Sequence, residues 1–202
     1  ETGKALDLGC AVGRSSFELA KYFQHVDAVD FSARFIQQGV KLQSSNRLRY
    51  TLPVEGDIVE YREVLLDKMG YDDVKDRIQF LQGDACNLKP ELTDYNVVFA
   101  GNLIDRLYEP KLFLDSITQR ILPGGLLVLT SPYTWLEEYT DKENWLGGIK
   151  VNGENFSTLD ALKLHLGELF EFEDARDVPF VIRETARKYQ HTNAQMSIWR
   201  KK

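Results

Sequence analysis

The start of the chain carries the feature that most constrains its fold, a strand, a glycine-containing loop and a helix in succession. Residues 4–8 are apolar enough for a buried strand, and Phe17, Ala20 and Phe23 recur at helical spacing within residues 15–23. A second apolar strand over residues 26–29 runs into Asp30. This βαβ order predicts a parallel sheet with right-handed crossovers, and hence an α/β, Rossmann-like, doubly wound fold.

The same alternation continues toward the end of the chain. Helices are predicted after a Ser32 cap, over residues 111–121, and from the Ser157 cap to residue 169. Pro123, Gly124 and Gly125 are expected to stop the second of these. Further strands are predicted at residues 78–81, 97–100, 126–129, 170–174 and 195–199.

Residues 44–77 interrupt this regularity, because the interval is longer than the loops that usually join a helix to a strand. We interpret it as an insertion formed by a hairpin and a short helix. A single helix over residues 59–69 is the competing interpretation, since Val59, Leu65 and Met69 partly fit a helical period.

Composition limits the class of protein. The 202 residues, 43% of them hydrophobic, suffice for one core, so we expect a single domain over residues 1–202. The net charge of -6 argues against a general nucleic-acid binder and favours a small-molecule substrate. No apolar run reaches the roughly 20 residues of a membrane span, so no membrane association is expected.

The cysteines and the start of the chain add two expectations. Cys10 and Cys86 lack the regular spacing of a disulfide framework, which fits a reducing, cytoplasmic location. A first strand at residue 4 is abrupt for this fold, so we expect the C-terminal part of a longer chain. Oligomeric state is not predicted.

The first loop has the form expected where backbone approaches a nucleotide-like ligand. Asp7 is followed by Gly9 and Gly13, and glycine allows close contact between a strand end and a helix start. The full G-x-G-x-x-G pattern of dinucleotide enzymes is missing, because residue 11 is alanine and residue 16 is serine.

Acidic residues at the ends of later strands extend this site. Asp30 can accept hydrogen bonds from both ribose hydroxyls, and Asp84 can accept one from an adenine amine. The backbone amide of Ala85 can donate to an adenine ring nitrogen. Asn102 and Asp105 follow the fourth strand of the regular series, on the edge where open parallel sheets bind ligands.

These motifs together resemble class I S-adenosylmethionine methyltransferases. The resemblance rests on residues 5–13, 28–30, 83–85 and 122–125. It implies a seven-stranded, mostly parallel sheet whose antiparallel last strand is 195–199, and S-adenosylmethionine as the cofactor. The cofactor-binding residues it implies are Asp7, Gly9, Cys10, Ala11, Gly13, Arg14, Asp30, Phe31, Asp84, Ala85 and Asn102.

A narrower resemblance concerns the acceptor. Residues 9–16, 102–107, 131–135 and 145–148 look like the methyltransferase domains of ovothiol biosynthesis enzymes. This implies methyl transfer to a ring nitrogen of 4-mercaptohistidine (5-thiohistidine). It also implies an iron-dependent sulfoxide synthase region that precedes the domain.

Candidate acceptor residues lie mainly after the fourth and fifth strands of the regular series. Aromatic rings could wall a planar heterocycle, Asp105 could bind an amine or a proton, and Arg183 could bind an α-carboxylate. The catalytic candidates are Asn102, Asp105 and Tyr133. The substrate-binding candidates are Asp105, Arg106, Tyr133, Trp135, Tyr139, Trp145 and Arg183.

Alternatives to this interpretation remain open at the level of sequence. A methyltransferase for another small metabolite and a non-catalytic S-adenosylmethionine-binding module share the same motifs. A nicotinamide oxidoreductase shares the sheet and the acid after the second strand. His25, His165 and His191 lack metal-ligand spacing, so no metal site is predicted.

Overall fold

A computed structural model describes residues 3–202. In chain order the strands are β1 (Lys4–Leu8), β2 (His25–Asp30), β3 (Arg47–Glu55), β4 (Ile58–Leu65), β5 (Ile78–Gln82), β6 (Tyr95–Gly101), β7 (Ile121–Ser131), β8 (Ile149–Val151), β9 (Glu154–Phe156), β10 (Phe170–Arg183) and β11 (Tyr189–Lys201). The α-helices are α1 (Arg14–Leu19), α2 (Ala33–Ser45), α3 (Pro110–Thr118) and α4 (Thr158–Leu166).

Seven of these strands form one sheet, in the order β10-β11-β7-β6-β1-β2-β5. The strands from β7 to β5 in this order run parallel, whereas β11 is antiparallel to both β7 and β10. The predicted seven-stranded, mostly parallel sheet with an antiparallel last strand is therefore confirmed.

Strand β1 lies inside the sheet and is buried on both faces. Leu6 and Leu8 belong to the core on one face, together with Phe113 and Leu114 of α3. Ala5 belongs to the core on the other face, with Phe17 of α1. Because side chains alternate along a strand, this short apolar segment anchors both layers of helices.

Several element boundaries differ from the predicted ones. Helix α3 ends at Thr118, and the Pro123–Gly124 segment lies inside β7 instead of terminating a helix. The pairing register of β7 with β6 shifts there, and Gly124 has a φ of 78°, so the glycine forms an irregularity within a strand. Helices α1 and α4 end earlier than predicted, and the last two strands are longer.

Residues 44–77 contain the antiparallel hairpin β3–β4, followed by short 3₁₀ helices at Asp67–Met69 and Lys75–Arg77. The hairpin prediction is confirmed, and the competing helix over residues 59–69 is wrong. Arg49 Nε lies 3.1 Å from Glu63 Oε1 across the two strands. A pair of this kind across two strands favours the extended conformation. The partial helical pattern of the sequence does not indicate such a contact.

The β10–β11 hairpin projects past the carboxyl edge of the sheet. Ser131, the last residue of β7, pairs with Gln195, and Gln195 pairs with Asp177. The pairing continues to Arg183 and Tyr189, about 20 Å further at roughly 3.3 Å per residue.

The projecting end meets the β3–β4 hairpin, which packs against α2 near the opposite edge of the sheet. Arg183 Nη2 lies 3.6 Å from Glu60 Oε2. We call the two hairpins joined by this ion pair the hairpin arch, because it bridges the carboxyl edge of the sheet. Within residues 3–202, no helix combines the length and apolarity needed to cross a membrane.

The central position of β1 predicts a large effect of truncating its side chains. Leu6 is fully buried, so Leu6→Ala should lower the free energy of unfolding by about 2–5 kcal/mol, the usual cost of such a cavity. Urea denaturation followed by circular dichroism measures this. Leu164→Ala is the matched control, because Leu164 is 79% exposed and should change stability by less than about 0.5 kcal/mol. Equal effects at both positions would contradict this account of the core.

Candidate functional site

A cavity of about 420 Å³ opens at the carboxyl ends of β1, β2 and β5. Of the residues predicted from sequence for the cofactor or the acceptor, its wall contains Gly9, Asp30, Phe31, Asp84, Ala85, Arg106 and Tyr139. Residues from separate βα units are thus brought to one place. The wall also contains Leu103, Tyr108 and Glu138, which sequence reasoning missed.

The glycine loop is held against the end of β2 by the carboxylate of Asp30. Its Oδ2 accepts a hydrogen bond from the Ala11 amide at 2.8 Å, and its Oδ1 accepts one from the Ser32 amide at 2.8 Å. A carboxylate can accept about four hydrogen bonds, so each oxygen keeps capacity for one more donor. Gly13 is required here because it has a φ of 95° and an added Cβ would lie 2.5 Å from the Phe80 ring.

Asp7 lies beneath this loop and does not line the cavity. Its Oδ2 accepts hydrogen bonds from the hydroxyls of Ser15 at 2.7 Å and Ser16 at 2.5 Å. Its Oδ1 is buried and has no hydrogen-bond partner among residues 3–202. Burial raises the pKa of Asp7 to about 6, although the two serine hydroxyls oppose the shift.

The other predicted cofactor residues of this loop also lie off the cavity wall, namely Cys10, Ala11, Gly13 and Arg14. Cys10 is buried, and burial raises the pKa of its thiol, so it remains protonated at neutral pH. Arg14 Nη2 lies 3.1 Å from Glu18 Oε1 on the exposed side of α1. Its guanidinium therefore forms an ion pair on the surface of the helix and does not line the cavity.

Both carboxylate oxygens of Asp84 accept hydrogen bonds from other residues of the protein. Oδ1 accepts a hydrogen bond from the Cys86 amide at 2.8 Å, and Oδ2 accepts one from the Tyr108 hydroxyl at 2.9 Å. The hydrogen bond to Asp84 raises the pKa of Tyr108 to about 12. Tyr108 thus orients the carboxylate at neutral pH while its half-exposed ring forms part of the wall.

The ionisable groups of the cavity wall give it net negative charge. The carboxylates of Asp30, Asp84 and Glu138 face one guanidinium, that of Arg106. This balance suits a ligand with positive charge, such as a sulfonium with an amino group, and opposes the pyrophosphate of a dinucleotide. The residues present therefore fit S-adenosylmethionine better than a nicotinamide cofactor.

Arg106 and Tyr139 form one part of the wall. Arg106 Nη1 donates to the Thr134 carbonyl at 2.9 Å, and Nη2 donates to the Thr134 hydroxyl at 2.8 Å. The guanidinium carbon lies 4.9 Å from the centroid of the Tyr139 ring, which is a cation–π contact. These contacts fix the planar cation at the cavity.

Asp105 lies behind this wall with no exposed surface. Its Oδ1 accepts a hydrogen bond from Ser131 at 2.9 Å, and its Oδ2 accepts hydrogen bonds from the Thr134 amide and hydroxyl and from Arg106. The prediction of direct substrate contact needs correction, because the carboxylate is enclosed and occupied. Asp105 instead anchors the segment after β7 and positions Arg106.

Asn102 and Tyr133 do not line the cavity either, although they follow the carboxyl ends of β6 and β7. Asn102 Oδ1 accepts a hydrogen bond from the Thr130 hydroxyl at 3.1 Å. Tyr133 donates to Gln195 Oε1 at 3.1 Å, and burial raises its pKa to about 12. Tyr133 is therefore protonated at neutral pH and cannot act as a base in this arrangement.

The two predicted tryptophans are part of the structural core. Trp135 Nε1 donates to the Thr158 hydroxyl at 3.0 Å, and Trp145 Nε1 donates to the Thr140 carbonyl at 2.9 Å. Their rings stack with centroids 6.3 Å apart. Arg183 belongs to the hairpin arch through Glu60, so the structure does not bring these three residues to the cavity wall.

Comparison with known proteins agrees with this geometry. A family model described as a methyltransferase domain matches residues 1–174. Among solved structures, a SAM-dependent methyltransferase from Methanosarcina mazei has a TM-score of 0.63 at 18% identity, and the alignment covers 100% of this chain and 93% of that one. The N-methyltransferase NodS from Bradyrhizobium japonicum WM9, solved with S-adenosyl-L-homocysteine, has a TM-score of 0.59 at 13% identity, with 98% and 78% covered. No curated protein matches the sequence.

The raised pKa of Asp7 predicts a stability cost that appears as pH rises. The group titrates near 3.8 when unfolded and near 6 when folded, so the folded state loses stability between these values and remains penalised above pH 6. Asp7→Asn keeps an oxygen for the serine hydroxyls and removes the charge. We expect it to be more stable than the parent by about 1–3 kcal/mol at pH 7.5, with the difference shrinking below pH 4. Urea denaturation across this pH range measures it.

Asp27→Asn is the control, and its expected change in the free energy of unfolding at pH 7.5 has the opposite sign. Asp27 is also buried, but hydrogen bonds from Tyr95, His25 and Lys4 outweigh its burial and hold its pKa below the ordinary value. Its stabilisation is present at neutral pH and is lost as the pH falls through its folded pKa. Asp27→Asn should therefore destabilise the protein at pH 7.5. If Asp7→Asn behaved in the same way, the assigned cost of burying Asp7 would be wrong.

Proposed function

Because the chain belongs to the methyltransferase-domain family, we propose that this S-adenosylmethionine-dependent enzyme methylates a ring nitrogen of 4-mercaptohistidine in ovothiol biosynthesis. The observation that carries the methyl-transfer chemistry is the negatively charged cavity at the carboxyl edge of the sheet. The choice of acceptor rests on the resemblance of residues 9–16, 102–107, 131–135 and 145–148 to ovothiol enzymes. NodS, which has the same fold, carries the description of an N-methyltransferase.

The adenosine part of the cofactor is assigned to one side of the cavity. Asp30 has capacity to accept hydrogen bonds from the ribose hydroxyls while it holds Ala11 and Ser32. Asp84 Oδ2 accepts from Tyr108 and has capacity for an adenine amine as well. Phe31, which is 77% exposed on the cavity wall, offers an apolar face to the base.

The acceptor is assigned to the side formed by Arg106, Glu138 and Tyr139. The Tyr139 ring can stack with a planar imidazole, and Glu138 can accept a hydrogen bond from the acceptor. Arg106 is immobilised by Asp105 and Thr134, so this wall presents a fixed cation and a fixed ring. Such pre-organisation is the main contribution that a protein makes to an in-line displacement.

When bound, S-adenosylmethionine supplies an activated sulfonium methyl group. The ring nitrogen uses its lone pair to form the new bond to that carbon while the carbon–sulfur bond breaks. A mercaptoimidazole already carries an acidic thiol, whose thiolate balances the charge gained by the ring. The reaction therefore does not need a strong protein base, which agrees with the enclosed Asp105 and the protonated Tyr133.

Sequence observations alone support the other parts of this proposal. The spacing of Cys10 and Cys86 favours a cytoplasmic location, and the net charge of -6 favours a small-molecule substrate over nucleic acid. The lack of a long apolar run favours no membrane association. The resemblance supports an iron-dependent sulfoxide synthase region acting before the methyl transfer.

The cofactor assignment predicts selective stabilisation by ligand. S-adenosylhomocysteine should raise the melting temperature, since it binds only the native state, whereas NAD should not. Asp30→Ala should weaken S-adenosylhomocysteine binding by about 1–3 kcal/mol, because the ribose donors lose their acceptor. Calorimetric titration measures this, with Asp57→Ala as a control at an exposed turn off the cavity wall. Unchanged affinity in Asp30→Ala would remove Asp30 from the ribose site.

The acceptor assignment predicts the product. Incubation with S-adenosylmethionine should add one methyl group to 4-mercaptohistidine and none to histidine, because histidine lacks the acidic thiol. Mass spectrometry detects the product, and two-dimensional NMR locates the methyl group on the ring. Methylation of histidine alone, or of neither compound, would refute the ovothiol assignment and leave the cofactor assignment intact.

A further inference from the structure

The guanidinium of Arg106 has one two-donor edge for which the protein supplies no acceptor. Nη1 and Nη2 donate to the carbonyl and hydroxyl of Thr134, and Nη1 also donates to the carbonyl and Oδ2 of Asp105. A guanidinium carries five N–H donors in a fixed plane. The two without an acceptor in residues 3–202 are Nε–H and the second hydrogen of Nη2, which point in the same direction. A carboxylate can accept from both at once.

Arg106 brings these donors to the cavity at the carboxyl edge of the sheet, which we call the cofactor cavity. The residue lines this cavity, and 35% of its side chain is exposed. Thr134 and Asp105 hold the other donors of the guanidinium, and the Tyr139 ring covers one of its faces. The guanidinium therefore has a fixed orientation and two donors available to a ligand.

Glu138 supplies the opposite charge on the same wall. It is exposed, lines the cavity and directly precedes Tyr139, whose ring centroid lies 4.9 Å from the Arg106 guanidinium carbon. In the part of the chain that the structure describes, the ion pair of Arg106 is with Asp105, and none joins it to Glu138. A cation and an anion that are not paired with each other can bind a ligand that carries both charges.

We propose that Arg106 and Glu138 bind the head group of an α-amino acid, and that this head group belongs to the acceptor. The free edge of Arg106 binds the α-carboxylate in a bidentate manner, and Glu138 binds the α-ammonium group. Sequence analysis assigned the carboxylate to Arg183, which is paired with Glu60 instead. The inference rests on the proposed function in taking the cavity as the site of methyl transfer, and it names the class of acceptor.

Both the acceptor and S-adenosylmethionine carry such a head group, so there are two sources for the carboxylate. The acceptor is favoured because Arg106 and Glu138 flank Tyr139, the ring assigned to its imidazole. The separation of 4.9 Å between Arg106 and the Tyr139 ring is short enough for one histidine-like molecule to contact both. The affinity for S-adenosylhomocysteine, which has the same head group as the cofactor, distinguishes the two sources.

The kinetic test compares 4-mercaptohistidine with 4-mercaptohistamine, which lacks only the α-carboxylate. In the parent enzyme the KM for 4-mercaptohistamine should be about 10- to 100-fold higher, the usual effect of losing a hydrogen bond between charged groups. Arg106→Lys keeps a cation beside Asp105 and has no second donor edge. It should raise the KM for 4-mercaptohistidine by about the same factor. Its KM for 4-mercaptohistamine and its affinity for S-adenosylhomocysteine should stay within about twofold of the parent values.

Arg176→Lys is the matched control, because Arg176 also pairs with a nearby aspartate, Asp174, and does not line the cavity. It should leave both KM values unchanged. Glu138→Gln should raise both by about two- to fivefold without changing their ratio, since both acceptors carry the ammonium group. An equal rise for the two acceptors in Arg106→Lys would overturn the proposal. So would weaker binding of S-adenosylhomocysteine by Arg106→Lys with an unchanged ratio of KM values, because the carboxylate would then be that of the cofactor.

A binding measurement separates this proposal from the proposed function. In NMR titrations of protein saturated with S-adenosylhomocysteine, histidine should shift the Arg106 Nε–H resonance, whereas histamine should not. Histidine has the head group and, without the thiol, should bind and not react. Because the cofactor product is already bound, such a shift also excludes its carboxylate from that edge of Arg106.

The outcomes distinguish the two assignments. If 4-mercaptohistidine is not methylated but histidine produces this shift, the ovothiol assignment falls and the head-group site stands. If methylation occurs but Arg106 shows neither the shift nor the KM effect, the head-group site falls. Absence of both methylation and the shift rejects both.

Discussion

The carboxylate of Asp30 is the interaction on which the rest of the site depends. It ends β2 and binds the amide of Ala11 in the glycine loop and the amide of Ser32 at the start of α2. A buried amide left without an acceptor costs about 1–3 kcal/mol, so one side chain fixes both segments. The cofactor cavity lies directly beside this contact. Loss of the carboxylate would therefore loosen both the glycine loop and the start of α2.

The cofactor side could be predicted from sequence because its information is local. Each βα unit places its ligand residues directly after its own strand, and the parallel sheet brings those strand ends to one edge. Gly9, Asp30 and Asp84 were found in this way, and all three line the cavity. The hairpin in residues 44–77 was also predicted, because the interval was too long for a loop, although a helix over residues 59–69 was a competing interpretation of the sequence.

The acceptor side could not be predicted in the same way, since its contacts join distant segments. Aromatic character cannot distinguish Trp135, whose indole is buried against Thr158, from Tyr139, whose ring stands at the cavity. Asp105 has a strand-end position like that of Asp84, yet Ser131 and Thr134 enclose it. Arg183 is drawn into an ion pair by Glu60 of the other hairpin. Such contacts between distant residues decide whether a polar side chain faces the ligand or other protein groups. The spacing of residues along the sequence does not reveal these contacts.

The net negative charge of the cavity wall has a consequence for a methyl transfer. The carboxylates of Asp30, Asp84 and Glu138 favour a sulfonium in the cavity. After transfer, the cofactor sulfur is a neutral thioether and loses its attraction to the acidic wall. The same charges that favour the reactant cofactor therefore favour its product less, because the product has lost the positive charge on sulfur.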